Sequence, residues 1–106
     1  MSKKIQYDKL IRDRIPEIIE EAGKEYKIRE LNDEEYQAKL KEKLQEEVDE
    51  YLASNKLEEL ADILEVIRAL ARGRGTSMEK LEKIREEKAK KRGGFAKRLL
   101  LIEADE

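Results

Sequence analysis

The sequence predicts an all-α fold, a helical bundle built on an antiparallel helical hairpin. Three observations predict it. Apolar residues recur every three or four positions through long stretches, as on one face of an α-helix. Helix-opening pairs, an Asn or Thr followed three residues later by Glu, precede those stretches. The chain is 39% hydrophobic and 47% charged, with one Phe, four Tyr and no Trp, which suits long solvated helices rather than a thick core. At 106 residues it is read as a single helical domain spanning 1–106. A core this thin calls for apolar helix faces to pair between subunits, so a homodimer or homotetramer is expected.

Residues 3–15 are a mixed basic and apolar lead-in. Pro16 then suits the first turn of a short helix, IPEIIEEAG, stopped by Gly23. In EYKIREL, Tyr26, Ile28 and Leu31 stand near alternating positions, which fits either a short peripheral strand over 25–31 or an extended connection. Asn32 with Glu35 reads as a capping box opening a long helix, with Tyr36, Leu40, Leu44, Val48 and Tyr51 on its apolar face. A break at Ser54 and Asn55, with Asn55 and Glu58 as a second capping box, starts a helix striped by Leu57, Leu60, Leu64, Ile67 and Ala71 and ending near Gly73. So short a turn makes the two helices an antiparallel hairpin. Thr76 and Glu79 open a third long helix, whose basic end at Lys88 to Arg92 answers its dipole before Gly93 and Gly94 stop it. The tail FAKRLLLIEADE holds an apolar run read as a strand over 98–102 or a packed arm.

Composition narrows function. With 26 acidic against 24 basic residues there is no global field to draw the chain onto nucleic acid or an anionic membrane, and aromatic residues are too few for a base-stacking platform. Without Cys or His there is no thiol nucleophile, imidazole base or zinc-finger ligand set. Carboxylates remain, and oxygen ligands suit hard cations such as Mg²⁺ or Mn²⁺. No apolar run approaches the roughly 20 residues that span a bilayer, and MSKKIQYDK has no secretory h-region, so cytoplasmic residence is expected.

The acids concentrate in LQEEVDEYLASNKLEELADILEV. At about 100° per residue, Glu47 and Glu50 fall beside the stripe of Leu40, Leu44 and Val48, whereas Glu46 and Asp49 turn towards solvent. On the following helix Glu59 and Asp62 lean inward, while Glu58 and Glu65 face away. Across a turn between Ser54 and Asn55, Glu47 lies level with Asp62 and Glu50 with Glu59. Two i, i+3 pairs thus face each other, a metal cage in outline: four anions left alone would repel and raise one another's pKa. A single acidic pair in so acidic a chain is ordinarily a solvated face; two pairs matched across a turn and leaning into the apolar seam are harder to obtain by accident.

At the far end, Gly93 and Gly94 allow a turn whose N–H groups can cup an anion, with Lys88, Lys91 or Arg92 supplying charge and Phe95 placed to stack on a base. A glycine cap and a basic helix end also account for those residues without any ligand.

These residues resemble the MazG-like, all-α nucleoside triphosphate pyrophosphohydrolases, related to phosphoribosyl-ATP pyrophosphohydrolases, which share EExxE followed by ExxD. Glu46, Glu47 and Glu50 match the first element, and Glu59 and Asp62 the second. The opening YDKLIRDRIPEII and the late KRGGF look like the ends of a small branch of that group, so the likeness covers nearly the whole chain. It implies Mg²⁺-dependent cleavage of a nucleoside triphosphate between the α and β phosphates, releasing monophosphate and pyrophosphate, in nucleotide-pool house-cleaning. It also makes Lys9, Arg12 and Asp13 candidates for substrate binding through the family's KLxRD element; unaided, they read as surface charges. The expected site has Glu47, Glu50, Glu59 and Asp62 holding one or more Mg²⁺ ions, with Glu46 orienting the attacking water or one of the inward carboxylates acting as base. The rival expectations are a noncatalytic helical oligomerisation module and a nucleotide-sensing one.

Overall fold

The computed structural model describes residues 3–106, which form helices α1 (Ile15–Glu21), α2 (Asp33–Ser54), α3 (Leu57–Gly73) and α4 (Met78–Arg92). Among the described residues there is no strand. The stretches 25–31 and 98–102 are irregular, so the peripheral strands allowed at both places are not formed. Alternating apolar residues make a strand only where a second strand accepts their backbone hydrogen bonds, and none lies beside either stretch.

Local chemistry sets the helix ends. Pro16 stands in the first turn of α1, and Gly23 at φ 73° lets the Lys24 N–H reach back to the Ile19 carbonyl at 3.1 Å. Asn32 and Glu35 form the expected capping box: the Asn32 side chain accepts from the Glu35 N–H at 2.9 Å, and the Glu35 carboxylate accepts from the Asn32 N–H at 3.3 Å. Arg29 clamps the same carboxylate, and this bond, with the Asn32 N–H, holds Glu35 below its ordinary pKa.

The next two starts differ from expectation. Asn55 does not cap α3; it ends α2 in the left-handed region at φ 58°, its N–H donating to the Tyr51 carbonyl at 2.8 Å. Lys56 stands at the start of α3 with no side-chain cap. Asn tolerates the left-handed conformation better than most residues, so the tight turn uses it for reversal rather than for capping. Likewise Ser77, not Thr76, caps α4, accepting from the Lys80 N–H at 3.2 Å.

The hairpin α2–α3 is the structural centre, and α4 touches α3 only lightly. Leu40 of α2 with Val66 and Ala71 of α3 are the buried apolar residues among those described. Gly73 closes the helix where the Gln37 side chain crosses it, and a Cβ there would collide with the amide. With a radius of gyration of 18.8 Å and a longest extent of 66 Å, the chain is far from the roughly 13 Å radius of a compact domain of its length. No helix among the described residues is long and apolar enough to cross a membrane.

Candidate metal centre

The hairpin brings together carboxylates that are distant in sequence. Helical phase puts Glu47 and Glu50 on the α3-facing side of α2, and Glu59 answers from the first turn of α3. One carboxylate oxygen from each of these three residues lies within 4.8 Å of the others, a spacing at which a cation can be shared. Glu47 is the anchor. It is only 8% exposed, and its Oε2 is buried without a hydrogen-bond partner. A buried carboxylate oxygen ordinarily has a partner, so this one points to a group the polypeptide does not supply.

The electrostatics agree. Burial, followed by the neighbouring Glu50 carboxylate, pushes the Glu47 pKa up; Lys43, 3.5 Å away, opposes that, and Asp62 adds to it. Glu59 is also raised, first by partial loss of hydration and then by Asp62 and Glu50. Hard carboxylate oxygens under mutual repulsion fit Mg²⁺ or Mn²⁺ in charge and ligand type.

Asp62, expected as the fourth ligand, lies next to the cluster but is held elsewhere. The Arg12 guanidinium donates to its Oδ1 at 2.7 Å. Glu46 is clamped by Lys9 at 3.1 Å and Lys43 at 3.6 Å. Burial works to raise its pKa, yet those two ammonium groups together outweigh burial and leave it lowered, so Glu46 is an ionised acceptor beside the cluster. Lys39 completes the strapping of the lead-in by donating to the Asp8 carbonyl at 3.3 Å. Lys9 and Arg12 therefore stand at the carboxylates, whereas Asp13 is exposed and makes no side-chain bond among the described residues. Lys43 was missed by sequence reasoning. Its i+3 and i+4 spacing to Glu46 and Glu47 was the available signal.

The basic and glycine-rich end is not brought to this site. Residues 92–99 curl into a concavity lined only by themselves, with Phe95 97% exposed. Among the described residues, neither Lys88, Lys91 and Arg92 nor the Gly93–Gly94 turn bonds to a cluster carboxylate.

No family model and no solved structure matches this chain. A Mycolicibacterium smegmatis protein described as uncharacterized is 52% identical over 46 residues, which are 43% of this chain. That stretch spans about half, 47%, of the relative's length, and its description assigns no activity.

Proposed function

We propose that the chain is a Mg²⁺-dependent nucleoside triphosphate pyrophosphohydrolase of MazG-like type, acting in the cytoplasm as a homodimer or homotetramer. The observation that supports it most directly is the buried, unpartnered Glu47 Oε2 beside Glu50 and Glu59 on an antiparallel hairpin. Glu47, Glu50 and Glu59 would hold Mg²⁺, with Asp62 joining when Arg12 releases it. Bound there, Mg²⁺ supplies positive charge to the phosphates and makes water a better nucleophile.

The chain's own residues do the rest. Arg12 and Lys9 place a guanidinium and an ammonium at the rim, where charge-assisted hydrogen bonds can orient a polyphosphate. Glu46, kept ionised by Lys9 and Lys43, accepts a proton from the water that adds across the α–β anhydride. The anhydride bond breaks, and the products are nucleoside monophosphate and pyrophosphate. Nothing in this route needs a covalent enzyme intermediate.

A noncatalytic oligomerisation module is the second reading, favoured by the pairing of acidic residues with Lys9, Lys43 and Arg12. Pyrophosphate release from a panel of ordinary and modified nucleoside triphosphates, with Mg²⁺ and with chelator, separates the two. Release by wild type with Mg²⁺ and its loss in Glu50→Ala is the expected result. No release from any nucleotide by a folded protein would leave the second reading standing.

A further inference from the structure

Two sets of exposed apolar side chains have patterns that match. The first is a ridge on α3. Leu57, Leu60 and Leu64 are 82%, 42% and 54% exposed, and their spacing keeps them on one face of the helix. The same face continues at steps of four to Arg68 and Arg72, with Arg74 just beyond. None of the three arginines enters an ion pair among the described residues. Arg68 and Arg72 line a concavity between α3 and the capped N-terminus of α4, whose free N–H groups add positive character. Glu65 and Glu79 lie there too and leave the arginines in excess once Arg74 is counted.

The second set is the segment after α4. Leu99, Leu100, Leu101 and Ile102 are 79–88% exposed, and Glu103, Asp105 and Glu106 follow them. Consecutive apolar residues left this exposed mark a contact surface rather than ordinary scatter. Both sets therefore read apolar and then charged, with opposite signs.

Their lengths agree as well. On α3 each step of four residues, Leu60 to Leu64 to Arg68 to Arg72, rises about 6 Å at about 1.5 Å per residue. In an extended chain every second residue shares a face, and two residues cover about 6.6 Å at about 3.3 Å per residue. Laid parallel to α3, the segment therefore sets Leu99 at Leu60, Leu101 at Leu64, Glu103 at Arg68 and Asp105 at Arg72.

We propose that the face formed by Leu57, Leu60, Leu64, Arg68 and Arg72 is the docking surface for the 99–106 segment of a second copy of this chain. The chain's own segment is a poor occupant. It makes no hydrogen bond or ion pair with α3, and α4 leaves α3 after slight contact in a molecule 66 Å long. Exchange between two copies is reciprocal, so one dimer uses the contact twice about a two-fold axis. It requires no catalysis and stands apart from the pyrophosphohydrolase reading.

The chain has no cysteine, which permits a direct test in the full-length protein. A Leu64→Cys variant is mixed with a Leu101→Cys variant, oxidised mildly and analysed by mass spectrometry. Disulfide dimers joining position 64 to position 101 should exceed both homodimers. A statistical mixture, or no disulfide, overturns the proposal. So does a double variant that closes its disulfide only within one chain, since the segment would then lie on its own α3. Sedimentation supplies the second arm: Arg68→Glu should weaken dimerisation about fivefold, and adding Glu103→Arg should restore it. Unchanged association in Arg68→Glu, or no restoration, overturns the proposed register.

Discussion

At the residue scale, the buried Glu47 ties stability to pH and, in the proposed function, to metal. Its folded-state pKa is raised, so in the metal-free protein the folded state holds that proton more tightly than the unfolded chain does. Its destabilising effect is therefore absent below the ordinary carboxyl pKa. It grows as pH rises from that value through the raised one and persists at neutral pH. Glu47→Gln removes the charge and keeps the shape, so at neutral pH the metal-free variant should melt above wild type, and the difference should shrink on acidification through that window. Mg²⁺ should raise the wild-type midpoint and leave Glu47→Gln nearly unmoved; a variant that melts lower and still responds to Mg²⁺ would remove Glu47 from the metal site. Arg12 makes the complementary case. Its guanidinium competes for Asp62, so Arg12→Ala should bind Mg²⁺ more tightly by calorimetry while its KM for nucleotide rises, and weaker Mg²⁺ binding would contradict that competition. Of this site, the inward phase of Glu47, Glu50 and Glu59 was legible because helical periodicity is local. The Arg12 to Asp62 bond was not, since it joins residues 50 apart through a lead-in with no periodic signal.

At the element scale, the hairpin depends on how its helices start and stop. The Asn32–Glu35 capping box was legible because both partners lie within one turn. Asn55 was not, because Asn serves equally as an N-cap and as a left-handed terminator, and only the path of the following helix decides between them. Adjacent hydroxyls at Thr76 and Ser77 left a one-residue ambiguity for the same reason. Two substitutions check these assignments by urea unfolding. Asn32→Ala removes a cap and should cost about 1 kcal/mol. Asn55→Gly keeps the turn at φ 58° and should be neutral or slightly stabilising, whereas Asn55→Ala places a methyl group in the left-handed region and should cost about 1 kcal/mol. If Asn55 instead capped α3, Gly would cost as an N-cap loss, so the sign of the glycine variant discriminates. The irregular segments at 25–31 and 98–102 have a different origin. Alternation and apolar runs report that a side chain needs covering, but not whether a strand, a helix or another subunit covers it.

At the scale of the whole molecule, an elongated chain that buries three apolar residues among those described is too thinly cored to be expected to stand alone. Leu40 is 2% exposed at the centre of the hairpin, so Leu40→Ala should cost about 2–5 kcal/mol, a large part of the stability of any small domain. Where folding and association are coupled, the melting midpoint depends on protein concentration, because dilution favours the separated and unfolded chains. The wild-type midpoint should therefore rise by several degrees over a hundredfold increase in concentration, and Leu40→Ala should melt lower at every concentration while retaining that slope. The tail then separates core from contact. Leu101→Asp alters a side chain that is 79% exposed, so on a monomer it should leave the midpoint unchanged. In an assembly that uses the tail, the same substitution should lower the midpoint most at high concentration and flatten its dependence on concentration. A midpoint independent of concentration in both proteins would mean that the helical hairpin holds itself together without a partner.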